Sequence, residues 1–290
     1  MLYFIVNALS GKGKGKEVSQ KIQAILENKK VAFQMLFTEA KQHAVSLAKE
    51  LSKKEDCKGI IAVGGDGTFS EVLNGIDTKI PLGFVSSGSG NDFMRTFAPE
   101  KTLEEQLKPI LENKTKQIDY IEVNDRRSLN VAGTGFDVDI LLREEKVRKV
   151  LKGSLSYYTA LIITLFTIKF RNFKITIDDK TEINEPCLIM AMANGRYFGG
   201  GMPISLDSSL DDGLIDLTVV KKVPLYSIPG LLLRFMKGTL KYSKKYVDVY
   251  RCTKIKCRVT PQVKINLDGE LFDMPDFTAV LKKGELTVFG

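Results

Sequence analysis

Short apolar runs that each end in a small-residue loop and then give way to helical spacing constrain this chain most. Tyr3-Phe4-Ile5-Val6 stops at Asn7, a lysine-studded loop Ser10-Gly11-Lys12-Gly13-Lys14-Gly15-Lys16 follows, and Val18, Ile22, Ile25 and Leu26 recur as on one helix face. Val31 to Phe37 reads as a second strand, after which Thr38 can cap a helix carrying Ala44, Val45, Leu47, Ala48 and Leu51. Gly59-Ile60-Ile61-Ala62-Val63 is apolar on both faces. It runs into Gly64-Gly65-Asp66-Gly67-Thr68 and then a helix from Phe69 to Ile76. A fourth strand, Ile80 to Val85, ends in Ser86-Ser87-Gly88-Ser89-Gly90-Asn91-Asp92. Continuous apolar strands alternating with helices predict a parallel sheet with helices on its faces.

The rhythm changes near residue 118. Strands are expected at Ile118–Val123, Ser128–Ala132, Phe173–Ile177, Cys187–Ala193, Ile215–Val220, Lys254–Val259, Val263–Leu267, Phe277–Leu281 and Leu286–Phe289. Helices are expected over about Val138–Phe170 and over Pro224–Leu240, with Pro224 in the first turn of the second. The fold class is therefore α/β plus β: an α/β domain over residues 1–120, then a mostly antiparallel sheet or sandwich over 121–290. The most apolar stretch, Leu155 to Phe170, is broken by Ser156, Thr159, Thr164, Thr167 and Lys169 and reads as a buried helix rather than a membrane span, which needs about eighteen apolar residues. Leu2–Val6 is too short for a signal-peptide core and no basic segment precedes it, so a cytoplasmic location is expected.

The counts narrow the chemistry. His43 is the one histidine, so a zinc site of two cysteines and two histidines is excluded and any Ser-His-Asp triad would have to use it. Of the four cysteines only Cys252 and Cys257 lie close, which reads as reduced thiols in a strand region rather than a metal pair. The net charge is +8, and residues 217–264 hold twelve Lys or Arg against one acid, Asp248. Such a block suits phosphorylated ligands, nucleic acid or an anionic membrane, or it is a solvated face. Without tryptophan or a recognised motif, specific nucleic-acid binding ranks low.

The sharpest chemical signal is Gly64 to Thr68 between a buried strand and a helix. Its glycines allow close backbone approach, and free N–H groups at the helix start suit phosphate. Asp66 repels bare phosphate but fits if magnesium lies between them. The competing reading is a tight structural turn. Ser86 to Asp92 would emerge on the same sheet edge, where open α/β folds bind ligands, and brings Ser89, Asn91 and a second carboxylate, Asp92. The Asn7–Lys16 loop would join them; it is no Walker A motif, though its lysines could attract phosphate. Asn266-Leu267-Asp268-Gly269-Glu270 is locally an ordinary hairpin signal.

Taken together these elements resemble the diacylglycerol kinase catalytic-domain family, in particular its soluble bacterial lipid kinases, over nearly the whole chain. The resemblance rests on Asn7 with Ser10-Gly11, Thr38, Gly64 to Thr68, Gly88 to Phe93, Ile118-Asp119, Asn194-Gly195 with Gly199-Gly200-Gly201, Leu210 to Leu214, and Asp268-Gly269-Glu270. It implies a Rossmann-like α/β nucleotide domain, shared with NAD kinases, followed by a C-terminal β-sandwich whose last strand returns to the first domain. It further implies ATP bound by Asn7, Ala8, Leu9, Ser10, Gly11, Thr38, Gly65, Asp66, Gly67, Thr68, Phe69, Ser70, Glu71 and Ser89. Asp66 and Asp92 would organise a catalytic Mg2+, and Glu270 would be the general base for a lipid hydroxyl. Ser209, Asp212 and Leu214 would hold a structural magnesium, the first and last through backbone carbonyls, with Asp119 nearby. Two departures stand out: Ser89 replaces a frequent threonine, and Pro203-Ile204-Ser205 replaces a proline-x-alanine pattern on the lipid side.

Phosphoryl transfer asks mainly for positioning and charge neutralisation, and a carboxylate ionised at neutral pH can take the acceptor's proton. The expected activity is ATP- and Mg2+-dependent phosphorylation of a lipid alcohol, most naturally diacylglycerol to phosphatidic acid, by an enzyme of phospholipid metabolism. It would meet its substrate at an anionic membrane surface, through the basic block and the 224–240 helix, for which packing on the protein's own core is the competing reading. The rivals are an NAD kinase, which shares Gly-Gly-Asp-Gly-Thr, and a non-catalytic nucleotide- or lipid-binding regulator. The lipid and the oligomeric state, homodimer included, stay open.

Overall fold

The computed structural model describes residues 1–99, 101–151 and 154–290 and divides the chain into two compact units. The first comprises residues 1–120, 210–213 and 282–290, the second residues 121–209 and 214–281.

In the first unit β1 (Leu2–Val6), α1 (Lys14–Asn28), β2 (Phe33–Phe37), α2 (His43–Leu51), β3 (Gly59–Gly64), α3 (Asp66–Gly75) and β4 (Leu82–Ser86) alternate as expected. The strands pair in parallel in the order β4-β3-β1-β2. Every residue of β1 and β3 is buried, which is why both read as unbroken apolar runs. Phe4, Val6, Ile22, Leu26, Ile61 and Val85 close the core against α1. Two short helices follow, α4 (Asp92–Phe97) and α5 (Leu103–Leu111). Helix α5 has a local signal of its own: Thr102 and Glu105 form a reciprocal capping box at its start. Thr38 does not cap α2. That helix begins at His43 after Gln42 in a left-handed conformation, while the Thr38 amide donates to the Val6 carbonyl at 2.9 Å.

The chain leaves through β5 (Thr115–Val123) and builds the second unit from β6 (Arg126–Ser128), β7 (Val131–Gly135), α6 (Phe136–Val147), α7 (Ser154–Leu165), β8 (Arg171–Ile177), β9 (Thr181–Ala193), β10 (Tyr197–Phe198) and β11 (Met202–Pro203). It continues through β12 (Ile215–Lys221), α8 (Ile228–Met236), β13 (Val247–Cys252), β14 (Lys254–Thr260), β15 (Ile265–Leu267), β16 (Glu270–Phe272) and β17 (Asp276–Phe289). Strand β9 is the spine. It pairs antiparallel with β8 along its first half, and along its second half with β7 and β12. Phe173, Ile175, Met190, Leu217, Ile255 and Phe277 fill one core, and Val131, Leu188, Val220, Leu231, Leu240 and Val247 another. Strand β17 merges the two strands expected at 277–281 and 286–289. Its last residues lie in the first unit, where Val288 pairs in parallel with Leu82.

Three expectations are corrected here. The helix over 138–170 is two helices, α6 and α7, with the connection partly outside the described residues. Helix α8 starts at Ile228 with Pro229 in its first turn, and Pro224 precedes a separate 3-10 turn, Leu225–Ser227. The 155–170 stretch is not buried all round: Leu155, Tyr158, Ile162 and Phe166 are exposed. Cys252 and Cys257 lie on successive strands as buried free thiols, and burial pushes the pKa of Cys252 up to about 12.

Candidate active site

Three loops converge at the carboxyl edge of the β4-β3-β1-β2 sheet, all within the first unit. The Gly64 carbonyl accepts the amides of Ser87 (2.7 Å) and Gly88 (3.2 Å), clipping the two glycine turns together. A Cβ on Gly88 would stand 2.6 Å from the Gly65 Cα, so glycine is required for this approach. Ser10 Oγ and Ser87 Oγ share a hydrogen bond at 2.6 Å, and Asn7 Nδ2 donates to Thr68 Oγ1 at 3.2 Å, which ties in the first loop. Gly11 sits at φ +59°, and a Cβ there would strike the Ser87 carbonyl.

Asp66 is the first residue of α3, yet its carboxylate serves another helix. Its Oδ1 accepts the Phe93 amide at 3.0 Å and its Oδ2 the Asp92 amide at 3.1 Å, covering the start of α4. Asp92 itself is 7% exposed. A Cβ on Gly90 would stand 3.2 Å from Asp66 Oδ2 and 4.0 Å from Asp92 Oδ2, so both carboxylates border one small space. The Asn91 Oδ1, buried and without a hydrogen-bond donor, lies by Gly88, where a Cβ would stand 2.9 Å from it. Two carboxylates bordering one space suit a small hard cation such as magnesium, so the residues present fit the metal the resemblance implies. Gly67 is exposed with open space above its Cα. The first N–H groups of α3 have no acceptor within the helix.

The sequence-predicted nucleotide residues divide accordingly. Asn7, Ser10, Gly11, Gly65, Asp66, Gly67 and exposed Ser89 border the edge, with Ala8 and Leu9 in the first loop and Thr38 after β2. Phe69 and Glu71 face elsewhere. Phe69 packs edge-on against Phe84 and Phe93, Ser70 is buried, and Glu71 Oε2 accepts the Ala44 amide at the start of α2. Their side chains support the loop rather than face its open side. Gln106, which the sequence reading missed, does the same: its Oε1 accepts the Ser86 amide at 2.9 Å. The capping box that starts α5 is the signal that could have placed it.

The structural-metal residues fall in different units, Asp212 in the first and Ser209 and Leu214 in the second. Asp119, buried in the first unit, accepts the Gly213 and Gly284 amides, each at 2.7 Å. Burial raises its pKa against these bonds, and the charges of Asp212 and Asp211 raise it further. Negative charge is thus concentrated where a cation would relieve it. Among the described residues no three acidic, histidine or cysteine side chains group closely enough to hold a metal by themselves, so backbone carbonyls would have to contribute.

Glu270 opens β16 in the second unit, after a two-residue turn in which Asp268 and Gly269 both have positive φ. Asp268 is more than a turn former. Its carboxylate accepts Ser128 Oγ and the amides of Leu129, Asn130 and Val131, anchoring the hairpin to β7. Asn266 Oδ1 accepts the Gly269 amide, and its Nδ2 donates to Asp137 Oδ2 at 3.2 Å. Burial pushes the pKa values of Asp137 and Asp268 up to about 6. Asp137 is the one charged residue among the described lining of an otherwise apolar pocket that Phe136, Leu161, Leu188, Leu231 and Phe235 help to form. Sequence reasoning missed both Asp137 and this pocket, because its walls come from α6, α7, α8 and β9, far apart in the chain.

Residues 1–123 match the diacylglycerol kinase catalytic domain, and residues 130–290 the YegS C-terminal NAD kinase beta sandwich-like domain. A diacylglycerol kinase of Bacillus subtilis (strain 168) is 29% identical over 231 residues, 78% of this chain and 75% of its own length. Among solved structures, a diacylglycerol kinase of Bacillus anthracis str. Sterne shares the fold with a TM-score of 0.80 at 24% identity, covering 99% of this chain and 96% of that one. An NAD kinase of Archaeoglobus fulgidus in complex with ATP shares it more distantly, with a TM-score of 0.56 at 15% identity over 100% of this chain and 94% of its own. With both domain models matched in order along nearly its whole length, the chain belongs to the diacylglycerol kinase family, pairing the catalytic domain with the NAD kinase-like β-sandwich domain.

Proposed function

We propose that this protein is an ATP- and Mg2+-dependent lipid kinase that transfers the γ-phosphate of ATP to the hydroxyl of a lipid alcohol, with diacylglycerol as acceptor and phosphatidic acid as product. The observation that carries the lipid acceptor is the pocket of the second unit, apolar but for Asp137. A dinucleotide acceptor would call for polar partners where this lining offers hydrocarbon, which favours the lipid reading over the NAD kinase one.

In this reading the edge formed by Asn7 to Gly11, Thr38, Gly65 to Thr68 and Ser89 receives ATP, with the phosphates over the exposed Gly67 and the start of α3, while Phe69, Ser70 and Glu71 act by holding the loop in place. Asp66 and Asp92 would hold Mg2+, which supplies charge neutralisation to the phosphates when bound. Asp66, already held by two amides, keeps its orientation without reorganising. Glu270 takes the acceptor's proton, and the Asp268 and Asn266 bonds fix the turn that presents it. Ser209, Asp212 and Leu214 would hold the structural ion. The enzyme would work in the cytoplasm and meet its acceptor at the membrane surface.

The test is transfer of labelled phosphate from ATP, with magnesium, to mixed micelles of candidate lipid alcohols, with NAD in parallel. Organic-extractable label supports the proposal and names the acceptor; label on NAD alone overturns it. Glu270→Gln should remove turnover and spare ATP binding, and unchanged turnover would take Glu270 out of its role.

A further inference from the structure

Helix α7 is apolar on two sides. Tyr157, Leu161 and Leu165 line the pocket, and Ala160 and Thr164 are buried. A second stripe points outward: Leu155 is 58% exposed, Tyr158 48%, Ile162 56%, and Phe166, just past the helix end, 87%. Their spacing of three, four and four residues keeps them on one face. A helix apolar all round belongs in a core or in lipid, and this one lies at the surface. Helix α8 repeats the arrangement. Leu231, Leu232 and Phe235 line the same pocket, while Leu225, Tyr226, Leu233 and Met236 on and before it are exposed.

The charge around α7 indicates what covers that face. From Lys146 to Ile177 the sequence holds seven Lys or Arg and no Asp or Glu, and of the seven Arg148 and Arg171 are ion-paired to Glu144 and Asp139. Lys146 and Lys149 stand exposed before the helix and Lys169 after it. The basic block at 217–264 is less available than its charge suggests. Seven of its twelve cations, namely Lys221, Lys241, Arg251, Lys254, Lys256, Arg258 and Lys264, are ion-paired to acids. An apolar stripe flanked by cations complements a bilayer with anionic headgroups.

We infer that α7, with Phe166 at its tip and α8 beside it, inserts into the headgroup–acyl boundary of an anionic bilayer, so that a lipid chain passes from the leaflet into the pocket behind the helix without crossing water. The inference rests on the lipid-kinase reading for its purpose but not for its test.

The chain has no tryptophan, so Phe166→Trp installs a single fluorophore in the otherwise intact protein. On vesicles of phosphatidylglycerol and phosphatidylcholine its emission should shift to the blue and be quenched by brominated acyl chains. Val249→Trp, on an exposed strand position of the same unit, should show neither effect. The double change Ile162→Ser with Phe166→Ser should lower the bound fraction by roughly tenfold or more, from the lost burial of two apolar side chains. It should leave turnover on a dispersed short-chain acceptor unchanged. Emission from the Phe166→Trp protein that stays red on anionic vesicles overturns the inference. So does emission already blue without lipid and rising with protein concentration, which would assign the face to a second copy of the chain. Insertion without lipid phosphorylation would leave this surface standing and remove the kinase reading; phosphorylation of vesicle lipid with the introduced indole still in water would do the reverse.

Discussion

The carboxylate of Asp66 accepts the backbone amides of Asp92 and Phe93, so the first acidic residue of the site holds the second in place through the second's own main chain. Two loops that are distant in sequence thereby present two carboxylates to one space beside Gly90. Charge-assisted bonds of this kind contribute about 1.5–3 kcal/mol each. Asp66→Ala should therefore abolish transfer and lower stability by about 2 kcal/mol or more, whereas Asp66→Asn, which still offers an acceptor oxygen, should abolish transfer at a smaller stability loss. Thermal melts beside the label-transfer assay separate the two effects.

Gly88 is the contact point of the glycine turns. Gly88→Ala puts a Cβ 2.6 Å from the Gly65 Cα, and neither backbone can yield without breaking the Ser87 and Gly88 bonds to Gly64. The expected result is ATP binding weakened at least tenfold with a stability loss of about 1–3 kcal/mol. Calorimetric titration with ATP checks the first, and urea unfolding the second.

Asp268 satisfies four donors at the entry to β7. Asp268→Ala should destabilise the protein by about 2–4 kcal/mol, because the amides of Leu129, Asn130 and Val131 lose their acceptor. Turnover should fall too, since the turn bearing Glu270 loses its anchor. Equal stability of wild type and variant in urea would refute the anchoring role.

Asp137 and Asp268 share a pH signature. Burial raises both to about 6 in the folded protein, above the ordinary carboxylate value near 4. Between those values the folded state binds more protons than the unfolded one, so these groups make stability fall as pH rises from about 4 to about 6 and level off above. Asp137→Asn keeps a hydrogen-bond acceptor for Asn266 and removes the charge. It should flatten part of that slope and stabilise the protein at pH 7 by about 1–3 kcal/mol. Urea midpoints measured from pH 4.5 to 7.5 give the test, and an unchanged profile would show that Asp137 does not titrate there.

Much of the first unit is legible in the sequence because its signals are local. A strand buried on both faces cannot hide its composition, and β1, β3 and β4 follow from their apolar runs alone. Errors arise where a residue's task is set elsewhere. Thr38 looks like a cap but completes a bond to Val6. Phe69 and Glu71 follow the glycine turn in sequence, yet their side chains go to an aromatic cluster and to the start of α2. Strand β13, buried only at its ends Val247 and Cys252, is hidden in the sequence between basic neighbours.

The sequence by itself determined the β-loop-α order, the glycine turns and, through the joint pattern of its motifs, the family. It could do so because backbone freedom, helix starts and strand periodicity depend on residues within a few positions of one another. Only the tertiary structure decided that Asp66 caps α4, that Asp268 anchors the turn before Glu270, and that α6, α7 and α8 enclose an apolar pocket around Asp137. It also decided that seven of the twelve cations in the basic block are ion-paired while α7 leaves an apolar face uncovered. Those outcomes depend on which distant groups meet, and hydrogen bonding, burial and ion pairing are settled by that meeting rather than by neighbours in the chain.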